Sequence, residues 1–378
     1  MVSPGESAAR GGSHGPWAHV VGHVPVVTRL DRAVHDGTLA HATLLAGPDG
    51  VGKTTLATAL AAVVLDADSW PGGLAAHPDH WIEDSDEERI RIARMRPGGG
   101  TPETGPSLQD FLGLRPYAGG ARVAVIARAD RLTEDAANCV LKTLEEPPPR
   151  THLVLCAAHP ERLPATIVSR CQLLGCATVP AADIRGWLAG VHGVGTSLAA
   201  GAAALAAGRP GRALQLATVP GALRAETEAI EALLAAAGRG RGEALRAAAA
   251  LAPPATAEGR ERALLQVTAW TGFVRDVACL AAGAPELMVW EPYREAAERW
   301  ARELPLERIA AALARCVETA DQVSQYAVPR LCYEVLLLDV LTVPPAPPRT
   351  AASPAGAAIE GPPAAPGPAP RSRAARRR

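Results

Sequence analysis

The run Gly47-Pro48-Asp49-Gly50-Val51-Gly52-Lys53-Thr54 matches G-x-x-x-x-G-K-[ST], a spacing in which glycines let the backbone curl and turn successive N–H groups toward phosphate oxygens. In that arrangement Lys53 reaches β- and γ-phosphates and the Thr54 hydroxyl takes one magnesium position. Gly47, Gly50, Gly52 and Thr55 complete the candidate nucleotide-binding set. The choice of lysine is itself informative, because 36 of the 38 basic residues are arginine and only Lys53 and Lys142 are not. A compact ammonium fits beneath a ring of N–H groups where a branched guanidinium would not. The plainer alternative is a glycine-rich turn capping a helix. The flanks argue against it: residues 41–46 (HATLLA) read as a buried parallel strand entering the loop, and 54–65 as an apolar helix leaving it.

The elements that must hold this loop follow from the same patterning. Residues 17–176 alternate strand-like apolar runs (43–46, 80–82, 122–126 and 152–157) with helical ones, which predicts an α/β nucleotide fold with a parallel sheet. From about 178 onward the texture changes to alanine-rich helical segments broken by Gly and Pro, with clear stops at Gly208-Arg209-Pro210-Gly211 and Val219-Pro220-Gly221. This predicts a small helical lid over 177–218 and an all-α domain over 219–343. Residues 1–16 and 344–378 are expected to be disordered. The C-terminal stretch holds ten prolines, six arginines and one glutamate, a charge of +5 against −6 for the rest of the chain. Its arginines could touch nucleic acid or acidic protein surfaces, or simply be solvated. The seven cysteines are scattered and odd in number, as suits reduced thiols. With no signal-like start and no apolar run of membrane-spanning length, the expected compartment is the cytoplasm.

Lys142 lies in residues 132–149 (LTEDAANCVLKTLEEPPP). Thr133 is a good N-cap, Glu134 and Asp135 fill the first turn, and apolar residues recur at helical spacing until the prolines stop the helix. A modest reading of Lys142 is an ion pair with Glu146 one turn on. Taken whole, the segment resembles the one that follows the second nucleotide-site strand in bacterial clamp-loader ATPases. The likeness extends to Ala40-His41-Ala42, His77-Pro78-Asp79, residues 112–120 (LGLRPYAGG), 164–171 (PATIVSRC) and the later Val328-Pro329-Arg330-Leu331, all in the family's order. Together they are similar to the delta-prime group of the DNA polymerase III clamp loaders. The resemblance implies an AAA+ P-loop domain, a helical lid and a helical collar that holds a five-subunit ring together. It also implies a part in DNA replication as a subunit of the polymerase III holoenzyme. Its partners would be gamma/tau and delta subunits, the sliding clamp and, through the complex, primed DNA.

The chain departs from that pattern where hydrolysis is concerned. A working site of this kind needs an acid for Mg²⁺ and a neighbouring glutamate that orients water, but the two positions are Ala127 and Arg128. Asp130 falls on the last position of the motif and is not expected to reach a metal. Where the family has a polar residue sensing the γ-phosphate, at the end of the next strand, this chain reads Cys156-Ala157-Ala158. The lid arginine's place falls on Gly211, with Arg212 one residue out of register. Many relatives carry a four-cysteine zinc module, yet residues 63–80 contain no cysteine, so no zinc is expected. Ser169-Arg170-Cys171 is kept, and the resemblance implies that Arg170 acts in trans on a neighbour's γ-phosphate. ATP binding without hydrolysis, with magnesium weak or absent, is the expectation. The alternatives are a hydrolysing AAA+ ATPase of the gamma/tau type and a small-molecule kinase.

Overall fold

The computed structural model describes residues 15–85, 87–118, 120–236, 240–325 and 327–340. The expectations for residues 1–14 and for 344–378 lie outside these residues. A 3-10 turn at Pro16–His19 buries Trp17, whose indole N–H donates to Asp31 Oδ1 at 2.9 Å. Next come α1 (Val24–His35), β1 (Ala42–Ala46), α2 (Lys53–Val64), β2 (His80–Glu83), α3 (Leu108–Leu112), β3 (Arg122–Ile126), α4 (Glu134–Glu145), β4 (Thr151–Ala157), α5 (Ala165–Val168) and β5 (Gln172–Gly175). All pairings are parallel, in the order β2-β3-β4-β1-β5. This is the α/β nucleotide fold with a parallel sheet expected from the alternating pattern.

Each sheet face buries its own core. Leu45, Val123, Val125, Val154 and Cys156 meet Leu56, Ala57 and Leu60 of α2 on one side. Leu44, Ala124, Ile126, Leu153 and Leu155 meet Phe111, Val140 and Ile167 on the other. The helix α4 starts as its sequence demands, with the Thr133 side chain accepting from the Ala136 N–H and Glu134 and Asp135 in the first turn. Lys142 is exposed, and among the described residues it forms no ion pair with Glu146, which has already left helical geometry with φ −125°. The strand β5 was missed by sequence reasoning. It has four residues and no β-branched side chain, with Leu173 exposed and Leu174 buried, and only its pairing with β1 makes it a strand.

Asp79 shows what the His-Pro-Asp run does. Its carboxylate is fully buried and accepts from the Tyr117 N–H at 2.8 Å and the Ala118 N–H at 3.0 Å, and it lies 3.2 Å from the Arg122 guanidinium. Arg122 in turn donates to the Phe111 carbonyl. Two motifs nearly forty residues apart are thus one buried polar network that fixes the start of β3.

The helical part comprises α6 (Ala181–His192), α7 (Thr196–Leu205), α8 (Pro210–Thr218), α9 (Ala222–Ala236), α10 (Arg241–Leu251), α11 (Ala257–Ala281), α12 (Arg294–Glu303), α13 (Leu306–Ser324) and α14 (Pro329–Val340). One continuous buried core runs from Val179 to Leu337. At its centre Trp270 donates to the Ala229 carbonyl at 2.8 Å and stacks edge-on with Tyr333, whose hydroxyl donates to the Ala263 carbonyl at 3.1 Å.

Two predictions follow from the buried polar groups of β2 and its approach. Asp79→Ala leaves Arg122 buried and unpaired and strips two N–H groups of their acceptor, so denaturant unfolding is expected to show a loss of about 3–5 kcal/mol. Unchanged stability would refute the network's role. His80 is held neutral: burial, followed by the charge of His77, pulls its pKa from 6.5 down to about 4. The unfolded chain therefore takes up a proton where the folded chain does not. Stability is expected to fall as pH drops from 6.5 toward 4, by at most about 3 kcal/mol, and to level off below. His80→Leu should flatten that part of the curve.

Candidate functional site

The loop between β1 and α2 leaves the C-terminal end of β1, which lies between β4 and β5, on the side of the sheet where open parallel sheets place their ligands. Its first residue is enclosed: the Gly47 N–H donates to the Ala157 carbonyl at 3.2 Å, and a Cβ there would lie 2.2 Å from the Cys176 carbonyl oxygen. Gly50 and Gly52 have φ of 76° and 109°, in the region that favours glycine. Val51 between them is buried and anchors the loop. No side chain caps the start of α2 at Gly52, so its first N–H groups are open to an acceptor. The Lys53 ammonium is buried beneath the loop. It donates to the Gly47 carbonyl at 2.7 Å and the Pro48 carbonyl at 3.0 Å, with Asp49 Oδ1 at 3.5 Å. Thr54 is half-buried and Thr55 exposed. The sequence-predicted residues are therefore brought together in one loop.

Two contacts on this loop were not visible in the sequence. His23 Nε2 donates to the Val51 carbonyl at 2.9 Å, from a left-handed residue that opens α1. The Gly50 carbonyl accepts from the Gly211 N–H at 2.8 Å, which seats the start of α8 on the loop. No local pattern announces either one, since both join segments far apart in the chain.

Residues 127, 128 and 130 are engaged in structural contacts. Ala127 is buried, and its N–H continues the sheet by donating to the Glu83 carbonyl at 2.9 Å. Arg128 reaches toward β2, away from the loop, donating to the Ser85 carbonyl and lying 3.5 Å from Asp84 Oδ1. Asp130 Oδ2 accepts from the N–H groups of Ala158 and His159 at 3.2 and 3.1 Å, so its carboxylate terminates β4. Burial pushes the Cys156 thiol up to about 12 despite the opposing charge of Lys53, which keeps it neutral. Arg212 donates to Glu226 of α9, a pair that is nearly fully buried. Burial raises the Glu226 pKa against the pull of Arg212. Among the described residues no group of three or more His, Cys, Asp or Glu side chains could hold a metal ion.

Arg170 lies apart from all of these. It lies two residues before β5, whose far end at Gly175 and Cys176 meets the loop, so about 16 Å of extended chain separates it from Gly47. It is exposed, with Nη2 3.0 Å from Glu145 Oε1 and Nη1 donating to the Thr166 carbonyl at 3.1 Å.

Parallel sheet order and loop geometry define a P-loop α/β fold. The family described as DNA polymerase III, delta subunit, matches residues 22–179. The delta-prime subunit of Pseudomonas aeruginosa is 35% identical over 164 residues, 40% of this chain and 47% of that protein. The delta-prime subunit of Haemophilus influenzae is 30% identical over 214 residues, 53% and 60% of the two chains. The chain thus spans about half the length of these curated relatives. Among solved structures, a gamma subunit-related protein of Thermotoga maritima aligns with a TM-score of 0.43 and 17% identity, over 82% of this chain and 97% of that one. The matched segment is similar to that of DNA polymerase III delta-prime subunits.

The enclosure of Gly47 makes a direct prediction. Gly47→Ala must push the β1 and β5 ends apart, and thermal unfolding is expected to show a loss of about 1–3 kcal/mol. Gly120→Ala, where a Cβ meets nothing, serves as the control and should leave the midpoint in place. An unshifted midpoint for Gly47→Ala would show that the loop start tolerates a side chain.

Proposed function

We propose that the chain acts in DNA replication as a delta-prime-like stator of the bacterial clamp loader. It would assemble with gamma/tau and delta subunits in the cytoplasm, help place the sliding clamp on primed DNA, and lend Arg170 to a neighbour's ATP site. The observation that carries this reading is the separation of two half-sites. Arg170 is exposed at the end of β5 opposite the chain's own loop, too far to act on a nucleotide bound there. In a ring, such an arginine faces the next subunit, where a guanidinium stabilises charge on a transferring phosphoryl group. The own loop, by contrast, has the residues to hold a nucleotide, Gly47, Gly50, Gly52, Lys53, Thr54 and Thr55. It lacks the groups to hydrolyse it, because Ala127 and Arg128 replace both acids. ATP would be bound, if at all, with the Thr54 hydroxyl as the one protein ligand for magnesium. On this reading residues 17–176, 177–218 and 219–343 are AAA+ domain, lid and collar. A hydrolysing gamma/tau-type subunit is disfavoured because Arg128 is already committed to Asp84 and Ser85.

The purified chain is expected to hydrolyse ATP no faster than background. In the reconstituted complex, Arg170→Ala should leave assembly intact, lower the clamp-dependent ATPase in part and depress clamp loading more. Arg170→Lys should rescue poorly, since an ammonium lacks the bidentate fork. Turnover by the chain alone that vanishes with Lys53→Ala, or full loading by the Arg170→Ala complex, would overturn the stator reading.

A further inference from the structure

The ion pair between Arg170 and Glu145 is not accounted for by the helix that supplies the acid. Glu145 is the last residue of α4, with Glu146 at the C-cap. A helix C-terminus carries partial negative charge and favours cations, so two carboxylates there are locally unfavourable. Neither is neutralised along the helix: among the described residues Lys142, one turn earlier, takes part in no ion pair. Glu145 instead reaches out of its own element to Arg170 Nη2 at 3.0 Å, while the Thr166 carbonyl of α5 accepts from Nη1 at 3.1 Å. The two side chains are 38% and 45% exposed, so the pair adds little to stability. Its effect is geometric. A guanidinium is a rigid planar fork of five N–H donors, and one contact on each terminal nitrogen, from two different elements, fixes its plane and its height above the surface. The remaining N–H groups stay free to face outward.

We propose that Glu145 is a positioning residue for Arg170, orienting the guanidinium toward an anionic oxygen group, such as a terminal phosphate, on a neighbouring subunit. The inference rests on the reading of Arg170 as acting in trans. Glu145 does not itself meet the anion, so its loss acts through Arg170 alone.

The test compares complexes reconstituted with wild-type, Glu145→Ala, Glu145→Asp, Arg170→Ala and doubly substituted chains, measuring the maximal rate of clamp loading and the KM for ATP. Glu145→Ala is expected to lower the maximal rate about three- to tenfold, the scale of a misaligned reacting group, with KM and the unfolding midpoint unchanged. Glu145→Asp should recover part of the rate, and Glu145→Ala should add no further loss to Arg170→Ala. If Arg170→Ala slows loading while Glu145→Ala does not, or if the two losses add, Glu145 does not position the arginine. If Arg170→Ala has no effect at all, the reading of Arg170 as acting in trans fails and takes this inference with it, an outcome separate from the first two.

Discussion

Everything at the loop depends on β1 being hydrogen-bonded on both sides. From Ala42 to Ala46 it pairs with Leu153 to Ala157 of β4, and from Thr43 to Ala46 with Gln172 to Gly175 of β5. The ladder continues past the strand: the Cys176 N–H donates to the Ala46 carbonyl at 2.7 Å and the Gly47 N–H to Ala157 at 3.2 Å. The loop therefore starts from a clamped point, with no room for a side chain at 47. Its remaining freedom is taken up by the Gly50–Gly211 and His23–Val51 contacts. A loop fixed at its start, middle and end presents its N–H groups in one arrangement and has little reorganisation to make when an anion arrives.

The strand β5 also measures the distance between the two chemically interesting ends of the domain. Its C-terminal end meets the loop, and its N-terminal end carries Arg170. On the proposed reading this is why one subunit contributes to two different sites in a ring. The parallel sheet fixes the loop on the C-terminal side of the strands. The connection from β4 through α5 must return to the N-terminal side before β5 can pair with β1 in parallel, and it delivers the arginine there on the way.

What was legible in the sequence is what local chemistry encodes. The loop's glycines and lysine, the buried run of β3 and the Thr133 cap each follow from a few adjacent residues, and the structure has them where the spacing put them. What was not legible depends on partners far along the chain. β5 has no intrinsic strand signal and exists through β1. The Asp79 carboxylate is explained by N–H groups 38 and 39 residues away. The expected partner of Lys142 was the neighbouring Glu146, yet the helix end that breaks that pair also frees Glu145 for Arg170, 25 residues on. Helical periodicity predicts contacts within an element and is silent about those between elements.

An alanine at 127 and an arginine at 128 are physically compatible with an intact loop, because the two sets of residues have separate structural duties. At the end of β3 an alanine suffices, since the backbone N–H of residue 127 maintains the ladder to Glu83 and the side chain only fills space. Arg128 finds its partners on the β2 side, so a cation at that position leaves no unpaired charge near the loop. Lys53 is different. A buried ammonium without acceptors would cost several kcal/mol, and here the Gly47 and Pro48 carbonyls supply them. Those carbonyls are available only because the glycine-rich backbone turns them inward beneath the loop. Lysine and loop therefore stabilise one another whether or not a phosphate is ever bound or cleaved, so the geometry of the loop does not depend on the residues at 127 and 128.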